Sequence, residues 1–406
     1  MEVQGVAIDR LHPFELSAAE RDRRWGAARA LMAERGLDAL LVWGSSGAFA
    51  HCNASMRWLT NVNTEGYLAF PAEGDPALFS FENGLNPAWV TDWRGAVPDF
   101  AKAIAAHLRD VGLGRGRLGL VPLSGLYAEL NGFPHATYVR LAERLPGATL
   151  EDATELVEGL RRRKSDEEVE ALRCGCEMVR RVFDAIRGTA RPGVRDYEVR
   201  AAIMDTLFRA GSEPGSMILY CQGKHAIHGG QSGIWYEPPY SNPLAEGDVI
   251  LLELDAVCAG YKAQFNHGFT VGEVDEEWGR VFATAETAYR AGLDALRPGL
   301  TVGELEDVML APLQSAGFVW GNPAFHGLGL ALELPLGTYP RVSWRPDREE
   351  RLEAGMVLEF EPHPVSPSFT RGASVGCPVL VTDEGCRPIP EWYEPRPIAV
   401  GENPSS

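Results

Sequence analysis

Four stretches in the C-terminal half of this 406-residue chain limit its fold most tightly. They are GDVILLELDAVCAGYKAQFNHGFTVG from Gly247, HGLGLALELP from His326, GMVLEFEPHP from Gly355 and GASVGCPVLVTDEG from Gly372. Each joins an apolar, strand-like run to glycine punctuation. Along residues 250–256 side chains alternate between faces, so Glu253 and Asp255 share one face while Leu252 and Leu254 take the other. Two carboxylates on one face of an apolar strand are costly to bury unpaired. A cation, a metal or a protonated substrate is expected to meet them, unless the strand ends in water or an arginine pairs with them. Glu359 and Glu361 likewise oppose Phe360, and one of the two is free to face solvent. His326 lies among glycines, which permit close approach of a backbone or ligand. Its ring serves equally well as a ligand, a general acid/base or a packed imidazole.

The length favours two domains. Residues 1–160 read as a small α/β domain, with a helical pattern over Ala18–Arg35 and strand patterns at 39–43, GYLAFP and ALFSF. A basic cluster, Arg161-Arg162-Arg163-Lys164, then precedes Ser165, with Glu168 three residues on. That spacing predicts a capping box opening a long helix, which puts the boundary near 155–165 and the second domain at 161–406. Helices are expected over 166–188, 195–210, 276–295 and 302–316, and strands over 249–256, 261–271, 357–360 and 378–382. Two helix-plus-strand halves after residue 165 fit a duplicated layout.

The net charge of -18 opposes binding to nucleic acid or an anionic membrane, leaving a small molecule as the expected partner. No apolar run approaches the ~20 residues of a membrane span, and MEVQGVAIDR lacks the features of a signal peptide, so a cytoplasmic protein is expected. The seven cysteines follow no zinc or disulfide spacing and read as reduced packing thiols. The basic cluster reads as solvated helix ends rather than a nucleic-acid patch. A long loop from His225, rich in Gly, Pro and aromatics, has the length of a functional segment. Its His225-x-x-His228 pair has a spacing that metal ligands use on a helix, but the surrounding glycines favour a surface loop. Ser232, Ser241 and Ser374 lack a nucleophile elbow, and no phosphate-binding glycine loop occurs.

In order and internal spacing the four stretches, together with RRRKSDEEVEALR, resemble the pita-bread family that contains methionine aminopeptidase, prolidase, aminopeptidase P and creatinase. The resemblance implies an α/β N-terminal domain of the creatinase kind followed by an α+β pita-bread catalytic domain. It also implies a homodimer, because NASMRWLTNVNTEGYLAF matches the place where such dimers present residues to the partner's active site; Arg57 and Trp58 fall there.

The metallopeptidases of that family hold two metals with Asp, Asp, His, Glu and Glu, and those positions fall here on Glu253, Gln264, His326, Glu361 and Gly376. Two substrate-facing histidines of the family fall on Tyr236 and Glu333. A neutral amide and a missing side chain remove the anionic oxygens that bridge two ions, leaving room for one divalent metal at most. Creatinase and ectoine hydrolase are similar cases, with few or no metal ligands and hydrolysis of a C–N bond in a small polar molecule. A dimethylsulfoniopropionate lyase branch shares the acid-x-acid pair of Glu253 and Asp255.

These likenesses lead to the expectation of a metal-independent, creatinase-like hydrolase without a cofactor, cleaving an amide, amidine or guanidino C–N bond of a small polar or zwitterionic molecule. Its acidic wall would be Glu253, Glu333 and Glu361 beside His326, under Trp235, Tyr236, Tyr240 and Trp344. Asp255, Gln264, Arg341 and Arg345 would bind substrate, with Arg57 and Trp58 closing the pocket from the partner. The alternatives are a metal-dependent Xaa-Pro-type aminopeptidase or small-molecule lyase of the same fold, and an inert binding protein.

Overall fold

The computed structural model describes residues 14–45, 54–81, 89–95, 97–125, 132–214, 218–227, 243–339 and 346–401, with a two-residue strand pair near the N-terminus. Two units divide the chain, one built mainly on Glu15–Arg161 and the other on Arg162–Gly329 and Glu333–Ser406. No helix among the described residues is long and apolar enough to cross a membrane.

In the first unit, helix α1 (Ala18–Arg35) starts at Ser17, whose hydroxyl accepts from the Glu20 amide, and stops at Gly36 in the left-handed region, φ 67°. Strands β1 (Ala39–Gly44), β2 (Gly66–Pro71), β3 (Ala77–Ser80), β4 (Asp92–Arg94), β5 (Arg117–Val121) and β6 (Thr149–Asp152) form one sheet in the order β4-β3-β2-β1-β5-β6. Residues 39–42 of β1 are wholly buried, as a central strand covered on both faces should be. Between β1 and β2 lies α2 (Ala54–Thr60); α3 (Phe100–Asp110) and α4 (His135–Arg144) come later, and α5 (Thr154–Arg162) leads out of the unit. Leu41, Phe79, Ile104, Leu120 and Leu141 meet in its core.

The second unit opens with α6 (Asp166–Thr189), and both halves of the predicted capping box are present: Ser165 Oγ accepts from the Glu168 amide and the Glu168 carboxylate accepts from the Ser165 amide. Helix α7 (Asp196–Arg209) follows, then strands β7 (Ile218–Gly223), β8 (Val249–Cys258) and β9 (Tyr261–Val271). Helices α8 (Glu276–Ala295) and α9 (Val302–Ser315) precede β10 (Phe325–Leu328), β11 (Leu332–Leu336), β12 (Val357–Phe360), β13 (Pro378–Val381), β14 (Cys386–Pro388) and β15 (Ile398–Val400).

The two larger sheets among the described residues are β15-β9-β8-β7 and β11-β10-β12-β13-β14. Each has a helix laid on it through a glycine. A Cβ on Gly175 of α6 would sit 2.7 Å from the Ala263 Cβ, and one on Gly292 of α8 would sit 2.7 Å from the Phe360 ring. This is the duplicated layout expected from the helix-plus-strand halves.

Two features aim the sheets at each other. Strands β8 and β9 form a hairpin through Ala259 and Gly260, both at positive φ (49° and 85°), the conformation a two-residue turn of this hand requires. Farther along β9, Asn266 and Gly376 exchange two backbone hydrogen bonds (3.0 and 2.8 Å), which tie the first sheet to the chain just before β13 of the second.

Candidate active site

Every residue of the β8–β9 hairpin is buried, so its polar side chains need partners inside the protein. Glu253 stands opposite Asn266 and Asp255 opposite Gln264, which gathers Glu253, Asp255, Lys262, Gln264 and Asn266 on one face. The cation demanded by Asp255 is Lys262, whose Nζ lies 3.4 Å from Asp255 Oδ2. Gln264 Nε2 donates to Glu253 Oε1 at 3.2 Å.

The second sheet supplies the rest. On β10 and β12, His326 is paired across the strands with Glu359, and Glu361 follows at the end of β12. The His326 ring is buried, with Nδ1 2.9 Å from the Gly327 carbonyl oxygen. A carbonyl accepts, so Nδ1 carries the hydrogen and Nε2 presents its lone pair. That atom lies 3.9 Å from Glu361 Oε1. Burial lowers the affinity of His326 for a proton, against the raising effects of the Gly327 carbonyl and Glu253.

Burial pushes Glu359 and Glu361 well above the carboxylate range, and the charge of Glu253 adds to both shifts. Between them stands Asn266, whose Nδ2 donates to Glu361 Oε2 (3.3 Å) and Glu359 Oε1 (3.5 Å). Glu359 does not face solvent; it is 0% exposed. Sequence alone does not mark Glu359 or Asn266 as site residues, although the pairing of residue 359 with His326 follows once β10 and β12 are neighbours.

Three readings are corrected. Glu333, expected as a free acid of the wall, is met by a cation: its carboxylate lies 2.6 Å from Lys164 Nζ, with both side chains nearly sealed from water (4% and 2% exposed). The basic cluster is solvated only in part: Arg161 is buried and donates to Ser55 Oγ and Arg162 meets Glu350 half-buried, whereas Arg163, beside Glu353, stays exposed. Trp58 is a core residue of the first unit, 1% exposed, with the Arg24 guanidinium over its ring and donating to its carbonyl. Arg57 beside it is half-buried. Among the described residues six cysteines are free thiols. His228, Trp235, Tyr236, Tyr240, Arg341, Trp344, Arg345 and Cys52 lie outside the described residues.

A two-ion centre does not fit these residues. Gly376 lacks a ligand, and its backbone also excludes one: a Cβ built there would lie 1.4 Å from the Phe360 carbonyl oxygen. The amide hydrogens of Gln264 and Asn266 occupy carboxylate oxygens where bridging oxygens would be needed. As they stand, no three His, Cys, Asp or Glu side chains among the described residues converge into a metal cage. Two donors, His326 and Glu361, keep the chemistry that a single ion uses. His326 has the tautomer of a metal-binding imidazole, with its other nitrogen fixed by a backbone carbonyl. Two ligand atoms of one tetrahedral ion lie ~3.4 Å apart when each bond is about 2.1 Å. His326 Nε2 and Glu361 Oε1 stand 3.9 Å apart, wider than that spacing.

Behind Asn266, His267 is 1% exposed and packs on Phe183, with ring centroids 4.7 Å apart. Tyr393 donates to the Asn266 carbonyl (2.9 Å), so its oxygen is left to accept from His267 Nδ1 at 3.4 Å. Burial, assisted by Arg187, pushes His267 down to about 3. The ring therefore stays neutral in the fold, while the unfolded chain gains a proton near pH 6.5. Stability present above pH 6.5 is lost as the pH falls, by about 2 kcal/mol between pH 7 and 5. Denaturant midpoints of wild type and His267→Gln over that range should diverge by this amount. Parallel pH profiles would show that His267 is not buried neutral.

Comparison with known proteins places the chain in a family. Residues 170–383 match metallopeptidase family M24, and residues 24–163 match the creatinase/prolidase N-terminal domain. The chain belongs to the metallopeptidase family M24. Among curated proteins, an Xaa-Pro dipeptidase of Pyrococcus furiosus is 24% identical over 57% of this chain and 64% of its own length, just under two thirds of that protein. An Xaa-Pro dipeptidase of Lactobacillus delbrueckii subsp. lactis is 25% identical over 64% of this chain and 69% of its own length. Among solved structures, an Xaa-Pro dipeptidase from Bacillus anthracis superposes with a TM-score of 0.75 at 21% identity, covering 94% of this chain and all of that one. An X-Pro aminopeptidase from Thermotoga maritima gives 0.77 at 19% identity, covering 93% of this chain and 99% of its own. The α/β N-terminal domain and pita-bread domain expected from the sequence are thereby confirmed. A hydrolase is supported, but the expected metal independence is overturned: curated relatives include Xaa-Pro dipeptidases and the matched family is one of metallopeptidases.

Proposed function

We propose that this protein hydrolyses the C–N bond of short peptides, in the manner of an Xaa-Pro dipeptidase, with one divalent ion where the family's two-metal sites use two. The observation that carries this reading is His326, a buried neutral imidazole whose Nδ1 is fixed by Gly327 and whose free Nε2 faces Glu361. His326, Glu361 and Glu253 would hold the ion, with Gln264 bracing Glu253 through its amide. Such an ion supplies Lewis-acid chemistry, polarising the scissile carbonyl and acidifying the attacking water.

The protein's own contribution is a dry, rigid surround. Glu253 and His326 project from paired strands whose residues are buried, so their positions are fixed before substrate arrives. The Asp255–Lys262 pair neutralises charge on the same hairpin face and limits the anionic field to the acids around His326.

Elemental analysis of protein purified without chelator, combined with a panel of Xaa-Pro and Xaa-Ala dipeptides, tests the reading. One Mn, Co, Zn or Fe per chain is expected, with preferential turnover of the Xaa-Pro members that is lost on chelation. Removal of a group that merely supports a ligand costs roughly 10–100-fold in metal affinity or activity, so His326→Ala should lose more than about 100-fold. Undiminished dipeptide turnover in the chelated protein, or no turnover of any dipeptide with any of the four metals, would sink the proposal.

A further inference from the structure

We propose that the first unit carries a binding site of its own for a small aliphatic amine, seated in the cavity between the start of β1, the β2–β3 turn and the C-terminal end of α3. Every residue of the site belongs to that unit, so it stands or falls apart from the peptidase reading.

The cavity measures about 510 Å³, within the ~300–1,000 Å³ of small-molecule pockets. Leu108 and Leu113 give it apolar walls, Asp38, Glu73 and Asp75 line it with carboxylates, and His107 adds an imidazole. Backbone contacts hold the acids in place. The Ala72 amide donates to the Asp38 carbonyl at 2.9 Å, and the Arg29 guanidinium donates to the Gly74 carbonyl between Glu73 and Asp75. Gly74 turns the chain there at φ 93°, a conformation that favours glycine. Asp38 Oδ2 accepts from the Arg117 amide at 2.7 Å. Among the described residues no cationic side chain pairs with Asp38, Glu73 or Asp75, and the Arg117 guanidinium is engaged with Glu151 and the Arg35 carbonyl.

Exposed carboxylates alone would make only a solvated rim. His107 is the independent observation. The residue is 7% exposed, its ring meets Phe79 edge-on with centroids 5.7 Å apart, and among the described residues neither ring nitrogen has a hydrogen-bond partner. Buried polar side chains normally have one. Neither nitrogen is sealed, and the cavity that the residue lines gives a partner access to them. Burial, with Arg94 adding to it, lowers the affinity of the ring for a proton against the pull of Asp92 and Asp110. His107 therefore offers a lone pair rather than a charge.

The ligand follows from this chemistry. Three carboxylates repel an anion, and the last turn of α3 points its carbonyl ends toward this end of the unit, which favours a cation. A bare metal ion is poorly matched, because no three acids or histidines among the described residues converge on one point. An alkylammonium meets each wall: its N–H groups serve the carboxylates and the imidazole, and its methylenes cover Leu108 and Leu113.

The test is a titration of the full chain with n-pentylamine and with its neutral counterpart n-pentanol, read by saturation-transfer NMR and by the thermal unfolding midpoint. The amine should bind, raise the midpoint and outcompete the alcohol. The double variant Glu73→Gln/Asp75→Asn replaces two exposed carboxylates, and circular dichroism checks that its fold is kept. It should bind the amine at least about fivefold more weakly, and its midpoint should no longer respond. His107→Leu removes the buried acceptor and should weaken binding about tenfold; where that variant fails to fold, the double variant decides alone. Equal affinity of the double variant and wild type would place the amine elsewhere on this acidic chain and overturn the proposal. So would n-pentanol binding as tightly as the amine, displacement of the amine by an equal concentration of Mg²⁺, or no binding to wild type.

Discussion

Introducing a side chain at Gly376 is expected to destabilise the protein by about 3–5 kcal/mol, for alanine and glutamate alike. The obstacle is backbone: a Cβ would lie 1.4 Å from the Phe360 carbonyl oxygen and 2.5 Å from its carbon, neither of which can swing aside as a side chain would. Relief requires the segment to withdraw, which breaks the paired hydrogen bonds with Asn266 at 2.8 and 3.0 Å. Overpacking costs roughly 1–3 kcal/mol, and each lost hydrogen bond adds about 1 kcal/mol. Urea unfolding of Gly376→Ala measures the sum directly. A change below about 1 kcal/mol would mean that the strand adjusts freely, and that the missing carboxylate could be restored by a single substitution. The distinction bears on function. A rigid backbone here means that the family's fifth ligand position is closed, and restoring the acid by Gly376→Glu should add no second metal.

Much of this arrangement follows from local sequence. Alternation across residues 250–256 correctly put Glu253 and Asp255 on one face, and the spacing of Ser165 and Glu168 correctly opened α6. Such patterns are legible because the strand and helix periods are imposed by the backbone itself. The partners of these acids were less accessible. Lys262 could have been paired with Asp255, since a tight hairpin turn at Ala259-Gly260 fixes the register. Glu359 was harder, for its face is decided only when β12 is flanked by β10 and β13. The Gly376 backbone contact and the Lys164–Glu333 pair carry no local signal at all, because each depends on packing between distant segments. Glu333 illustrates the point: position within a familiar stretch does not reveal that Lys164 comes to meet it.

Lys164→Met should cost about 3–5 kcal/mol, and adding Glu333→Leu should recover most of it. The loss in the single variant is the penalty of a carboxylate left buried with its ammonium partner gone. The two atoms lie 2.6 Å apart, with the side chains 2% and 4% exposed. Both pack against Gly329, where a Cβ would be 2.8 Å from Lys164 Cε and 3.0 Å from the Glu333 carboxylate. The pair therefore braces the glycine segment that follows His326, and Gly329 in turn accepts from the Lys262 amide at 2.9 Å. Its role is to hold strands, and an apolar pair of similar size can do the same. Denaturant unfolding of the two variants gives the energies, and Mn²⁺ titration of the double variant tests the assignment, with affinity expected within a few-fold of wild type. A double variant that regains stability but binds the ion tenfold more weakly would return Glu333 to the site.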